Sequence, residues 1–300
     1  MAKTSSKIKY WNRKKAQIEV EQVYGDASLR WVYESELGQS LADHLLSRSL
    51  VSQVYGAYQS SRLSATKINR FIKQFQIPMH EFDEGPFRSF NDFFIRKFKP
   101  GVRSFAQATG EFAAFAEARY YAFQSVELGQ KFPVKSLSLD LVELLGGEER
   151  ARPFLGGPLL LARLCPTDYH RFHYPDDGRV LECYSLHGAL HSVNPVALRY
   201  RPEILQTNER VVSLLETRNF GKLAYVEVGA LCVGKIVQTH RIQDEFHRGD
   251  EKGYFLFGGS TVIVVGEPGK WRIDSDLIEQ TQQQRETLVE LGQRVATRMV

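Results

Sequence analysis

The chain has 300 residues, 43% of them apolar and 25% charged, which suits one large domain or a domain with an appendage. Its three cysteines (Cys165, Cys183, Cys232) form no C-x-x-C pair, which speaks against a zinc site or a disulfide framework and for a reducing compartment. The basic, polar start lacks the apolar core of a signal peptide, and no apolar run is long enough to suggest a transmembrane helix.

The net charge of +4 is unevenly spread: residues 1–80 carry 12 Lys/Arg against 6 Asp/Glu. An anionic partner and plain solvated helix faces both account for that excess. Residues 1–36 mix Tyr10, Trp11, Tyr24, Trp31 and Tyr33 with charge. A helix is expected over 37–58, with Ser40 as its cap, Leu41, Leu45, Leu46 and Leu50 at helical spacing, and Gly56 as a break. In a second helix Ile68, Phe71, Ile72 and Phe75 share one face, Lys67, Arg70 and Lys73 lie elsewhere, and Pro78 ends it. Such a basic amphipathic helix either rests on anionic lipid or packs on the protein. Within 87–103, Ser89 or Asn91 caps a short helix that turns Phe93 and Phe94 inward, and Pro100-Gly101 stops it.

The pattern changes near 104. Strands are expected at 120–126, 158–165, 179–186, 223–231, 235–238, 255–257 and 261–265. A short helix over 138–145 ends at Gly146-Gly147, and a surface helix spans 276–298. The fold class is α+β: a helical N-terminal region (1–103) followed by a strand-rich domain (104–300).

Between the last two strands lies Gly258-Gly259-Ser260-Thr261. One reading is a hairpin turn capped by a hydroxyl. The other is a Ser260 hydroxyl aimed at the Gly259 carbonyl, which has no side chain to block attack; a serine nucleophile then needs a base. Histidines cluster in Asp168-Tyr169-His170-Arg171-Phe172-His173, after an apolar run. His170 and His173 face one way if the segment is helical and opposite ways if it is extended. A metal centre would need a third ligand, and none stands at ligand spacing.

Together these segments resemble phosphatidylserine decarboxylase proenzymes of the Gly-Gly-Ser-Thr subgroup. The matching pieces are Ser89-Phe90-Asn91-Asp92-Phe93-Phe94 with Arg96, Asp168 to His173, Ser192-Val193-Asn194-Pro195, Asn208-Glu209-Arg210-Val211-Val212, Val228-Gly229-Ala230 and Phe257-Gly258-Gly259-Ser260-Thr261-Val262. They run in the family's order over most of the chain.

The resemblance implies that Ser260 attacks the Gly259 carbonyl, so that the chain is cut between Gly259 and Ser260 and Ser260 becomes a pyruvoyl group. That covalent cofactor forms a Schiff base with phosphatidylserine and serves as the electron sink for loss of CO2, giving phosphatidylethanolamine. By position, His173 matches the processing histidine, the base for Ser260, and His170 the histidine of the decarboxylation step. The family's third processing residue is an aspartate. Reading back from Lys135 places Glu117 there; a rival register through Ala108-Thr109-Gly110 puts a threonine at that place.

The partners implied are phosphatidylserine, an anionic membrane surface met by residues 1–103, and the chain's own two fragments as a heterodimer or a dimer of heterodimers. The location implied is peripheral, on the cytoplasmic side of a membrane. Two alternatives stand beside this: an unprocessed, non-catalytic lipid-binding paralogue, and a decarboxylase of a soluble amino acid. No nucleic-acid partner is expected, because the basic residues are not interleaved with a recognition motif.

Overall fold

The computed structural model describes residues 7–46, 49–127, 139–230, 235–240, 245–258 and 260–299. Gly259, Cys232 and Lys135, all named above, lie outside these residues. The strands are β1 (Lys9–Asn12), β2 (Gln17–Val20), β3 (Glu111–Ala113), β4 (Ala118–Phe123), β5 (Leu159–Leu164), β6 (Arg171–His173), β7 (Gly178–Leu186), β8 (Arg210–Thr217), β9 (Gly221–Val228), β10 (Ile236–Gln238), β11 (Glu245–Phe246), β12 (Glu251–Phe255), β13 (Ser260–Gly266), β14 (Trp271–Ile273), β15 (Glu286–Val289) and β16 (Arg294–Arg298). The α-helices are α1 (Asp26–Glu34), α2 (Glu36–Leu41), α3 (Ser49–Gln59), α4 (Ile68–Phe75), α5 (Phe90–Phe94), α6 (Leu141–Leu145), α7 (Glu148–Ala151), α8 (Pro195–Tyr200), α9 (Ile204–Thr207) and α10 (Ser275–Gln282). The α+β class expected from the sequence is the class observed.

A ten-stranded sheet runs β11-β7-β8-β9-β13-β5-β4-β15-β1-β2. A middle strand, β13, carries the aliphatic run Val262-Ile263-Val264-Val265 after Ser260-Thr261, and every one of its residues is buried. A run without polar alternation suits a strand covered on both faces. β5 and β9 flank it antiparallel, with Ser260 opposite Leu164 and Thr261 opposite Val228. Two three-stranded sheets, β10-β12-β6 and β14-β16-β3, pack with it.

The Gly-Gly-Ser-Thr corner is therefore not a hairpin. β12 pairs with β10 and β6, whereas β13 pairs with β5 and β9. The corner carries the chain from one sheet into another. Gly258 has φ 149°, a backbone conformation that side chains with a Cβ rarely adopt.

Other expectations are corrected. The 276–298 segment is not one surface helix: after α10 it forms β15 inside the main sheet and β16 in a small one. The regular spacing of Leu277, Leu288, Leu291 and Val295 arose from three separate elements. The region expected to be helical begins with the β1–β2 hairpin, and β1 lies parallel to β15 at one side of the main sheet. The helix expected over 37–58 is broken: α2 is capped by Ser35, whose side chain accepts the Gly38 N–H, a π-helical turn follows over Ala42–Leu46, and α3 runs through Gly56. α4 does form, but its apolar face is not left to lipid. Ile68 and Phe71 are buried with Phe90, Phe93, Phe94, Tyr169 and Phe257 in a second aromatic core. This core is where the helices meet the corner.

Candidate active site

Ser260 opens β13 and is fully buried. Opposite it β5 ends, and the chain turns through residues 165–168. Asp168 closes that turn: its carboxylate accepts the Cys165 N–H (2.7 Å) and pairs with Arg119 (2.6 Å), while its own N–H reaches the Cys165 carbonyl (2.8 Å). Arg96 donates to the carbonyls of Thr167 (3.1 Å) and Asp168 (3.2 Å) on the same turn.

The Cys165 carbonyl also takes a hydrogen bond from His170 Nε2, at 2.8 Å. A carbonyl can only accept, so Nε2 carries the proton. In the neutral ring Nδ1 is then the bare nitrogen, and it lies 3.4 Å from Ser260 Oγ. That is the loose end of hydrogen-bond range, close enough for a resting nucleophile–base pair. Burial, with Arg96 adding to it, pulls the His170 pKa down to about 3, so the ring is neutral at physiological pH. Phe94 stacks on the imidazole, with centroids 3.8 Å apart and planes at 22°.

His173 is elsewhere. β6 is extended, so the three-residue spacing sends the two rings to different sides. Nδ1 of His173 donates to the Gly249 carbonyl (2.9 Å), and Nε2 faces the Tyr169 hydroxyl (3.3 Å). Burial lowers its pKa as well. The expectation of His173 against Ser260 is thus corrected in this conformation: among the described residues, the histidine in contact with Ser260 is His170.

Glu117 does not orient either histidine. Arg103 grips its carboxylate with two bonds, Nε to Oε2 at 2.5 Å and Nη2 to Oε1 at 2.7 Å, and the Leu291 N–H adds a third. Burial raises the Glu117 pKa against the pull of Arg103. Arg103 also pairs with Glu81, so this cluster fastens the turn before β4 to the helical region. The longer glutamate stem ends in an arginine fork instead of against an imidazole.

The remaining matched segments hold the corner in place. Asn91 accepts the Phe257 N–H (2.7 Å) and donates to Ser60 Oγ (2.9 Å). Tyr24, Tyr55, Phe90 and Phe94 surround the Phe257 ring. Asn208 donates to the carbonyls of His191 and Gly229, both at 2.8 Å, tying two loops together. A cavity of about 650 Å³ reaches the corner at Phe257 and Gly258, and Cys165, Val193 and Asn194 also line it. Its floor holds Glu21 and Arg163. Arg163 binds Glu21 Oε2 and Glu286 Oε2, both at 2.6 Å. Burial works against the Glu21 charge, but Arg163 and Arg119 outweigh it and hold the carboxyl at about 2.

The phosphatidylserine decarboxylase family model matches residues 90–297. The phosphatidylserine decarboxylase proenzyme of Clostridium novyi (strain NT) is 40% identical over 294 residues, which is 97% of this chain and 100% of that protein. The one from Clostridium kluyveri is 41% identical over 290 residues, 96% of this chain and 98% of the relative. This chain belongs to the phosphatidylserine decarboxylase family.

Sequence reasoning singled out Ser260, both histidines and the segments that the structure packs around them. It missed the contacts that make them a site. The phosphatidylserine decarboxylase segment around Asn91 could be quoted, but not its grip on Phe257. Asp168 stood in a matched segment, but its bonds to Arg119 and to the Cys165 N–H were not foreseen. Glu21 and Arg163 gave no signal, because they meet only through the fold.

Proposed function

We propose that this chain is a proenzyme that cuts itself between Gly259 and Ser260, converts Ser260 into a pyruvoyl group, and then decarboxylates phosphatidylserine to phosphatidylethanolamine and CO2. The observation that carries the reading is the buried Ser260–His170 pair, with its tautomer fixed by the Cys165 carbonyl, next to the corner residues Phe257 and Gly258 that line a mostly apolar cavity.

In the first act His170 Nδ1 accepts the hydroxyl proton as Ser260 Oγ bonds to the Gly259 carbonyl carbon. The Gly259–Ser260 C–N bond breaks and the amine takes up a proton, leaving an ester. Loss of the Ser260 α-proton expels the Gly259 carboxylate and leaves dehydroalanine, which takes up water and releases ammonia. The residues present fit this outcome: a buried serine, a neutral base and a dry, aromatic surround. The pyruvoyl group supplies a carbonyl electron sink for decarboxylation of an amine substrate. His170 stays beside position 260 and is placed to exchange a proton there during turnover. His173 acts on the cut through the backbone it holds at Gly249 and the hydroxyl of Tyr169.

Mass spectrometry of the purified protein tests this. The expected result is two chains split at 259/260, with a ketone on the shorter one that a hydrazine reagent labels; Ser260→Ala stays whole. An uncut, unlabelled wild-type chain that still binds lipid would make this a non-catalytic paralogue, and turnover of a soluble amino acid with no activity on lipid would move the substrate.

The same reading places the protein at a membrane surface as a peripheral protein. No described helix is long and apolar enough to cross a bilayer. Support for docking comes from exposed apolar side chains in the helical region: Leu37 (79% exposed), Leu63 (74%), Val54 (65%) and Trp31 (53%). Leu37→Glu with Leu63→Glu is expected to reduce co-sedimentation with anionic vesicles while leaving the cut intact.

A further inference from the structure

Lys67 closes the 3-10 turn Arg62–Lys67, and Arg70 lies one turn on in α4. With Phe71 and Gln74 they form the stripe that faces the cavity, at i, i+3, i+4 and i+7. The cations deeper in the molecule are already paired with carboxylates: Arg163 with Glu21 and Glu286, and Arg119 with Asp168 and Glu21. Lys67 and Arg70 differ. Among the described residues neither has a carboxylate partner, and Lys67 Nζ sits 4.3 Å over the Tyr58 ring. Glu21 is the single acidic side chain among the described residues lining the cavity, against Lys67, Arg70 and Arg163. The cavity is thus neutralised at its floor and cationic at its rim, with aromatic walls between.

We propose that Lys67 and Arg70 form an oxyanion site at the cavity rim that holds the phosphodiester of a serine lipid headgroup while its amine points to the residue-260 corner. This rests on the decarboxylase reading. A phosphodiester carries one negative charge and two free oxygens, and a point cation beside a guanidinium satisfies both. The site makes the phosphate part of what is recognised and disfavours free serine, which leaves both cations unpaired. Lys73 is the control: it lies on the same helix, exposed, and does not line the cavity.

The test reads binding on the uncut Ser260→Ala chain, so it does not depend on processing. Calorimetric titration with glycerophosphoserine, a headgroup without acyl chains, is compared for the Ser260→Ala chain, the same chain with Lys67→Gln and Arg70→Gln, and the same chain with Lys73→Gln. Removing two charge-assisted contacts is expected to weaken binding roughly tenfold or more, with Lys73→Gln unchanged. Serine methyl ester, which lacks the phosphate, should bind the parent and the double variant alike. Inorganic phosphate competes weakly if the headgroup as a whole is the ligand; equal competition by phosphate alone would make the site a free-anion site and overturn the headgroup assignment. Equal affinity of parent and double variant, no glycerophosphoserine binding to the parent, or an equal loss in Lys73→Gln would each overturn the proposal. If the wild type proves uncut while the double variant still loses glycerophosphoserine, the decarboxylase reading fails and the phosphate site stands. Thermal melts of all variants report folding.

Discussion

At the residue scale the site turns on which nitrogen of His170 carries its proton. The Cys165 carbonyl answers that, since it forces the proton onto Nε2 and leaves Nδ1 for Ser260. The same burial has a cost that is visible in stability. In the unfolded chain the imidazole takes up a proton near its ordinary value of 6.5, whereas in the folded chain it does so only at about 3. Between those values the unfolded state binds more protons, so stability falls as pH falls. One such group costs about 1.4 kcal/mol per pH unit below 6.5, and His173, lowered in the same direction, adds to it. His170→Gln is therefore expected to flatten the decline of denaturation midpoint between pH 6.5 and 5. The same variant is expected to slow the cut and to lose about 10²-fold or more of turnover in any cut fraction. A pH profile identical to wild type, or full turnover, would show that His170 is not the buried base the geometry makes it.

At the element scale, α5 and the corner act as one device. Ser89 caps the helix by accepting the Asp92 N–H, and this sets Asn91 facing Phe257. The capping signal was legible in the sequence, as were the buried strands β5 and β13, because both rest on local spacing. What was not legible depended on partners distant in the chain. A Gly-Gly-Ser-Thr corner between two apolar runs looks alike whether the runs pair with each other or with β6 and β5. The tail misled for the converse reason: leucines from α10, β15 and the turn after it fell into a helical period by coincidence. His170 and His173 could be named from the sequence, but which one meets Ser260 required knowing that β6 is extended. Asn91→Ala tests the device. It leaves the buried Phe257 N–H without its acceptor, which costs about 1–3 kcal/mol, and it frees the backbone two residues before Gly259, where the cut is proposed. The expected outcome is a folded protein with a lower melting temperature and slowed cutting. Unchanged cutting would mean that Phe257 is held by its aromatic cage alone.

At the scale of the whole molecule, the N-terminal segment is structural. A division at residue 103 treats everything before it as a membrane-facing appendage, yet β1 extends the main sheet beside β15 and the chain then delivers Glu21 between Arg163 and Arg119. Arg163 belongs to β5, the strand opposite Ser260, and Arg119 holds Asp168, which closes the turn that carries the Cys165 carbonyl. The first two dozen residues therefore reach the turn that holds His170 through buried ion pairs. Removing one partner of such a pair leaves an uncompensated buried charge, a loss on the order of 3–5 kcal/mol. Glu21→Gln keeps the shape and one acceptor oxygen but removes the charge, so about 3 kcal/mol is expected from urea denaturation at pH 7. The sign with pH follows from the carboxyl's depressed value: the wild type holds this stabilisation above about 4.5 and loses it as pH falls toward about 2, whereas the variant shows no such step. A dispensable appendage would give a variant as stable as wild type and cut at the same rate. Loss of stability together with slower cutting, in a variant far in sequence from Ser260, is the outcome that the ion-pair path from β2 to the corner requires.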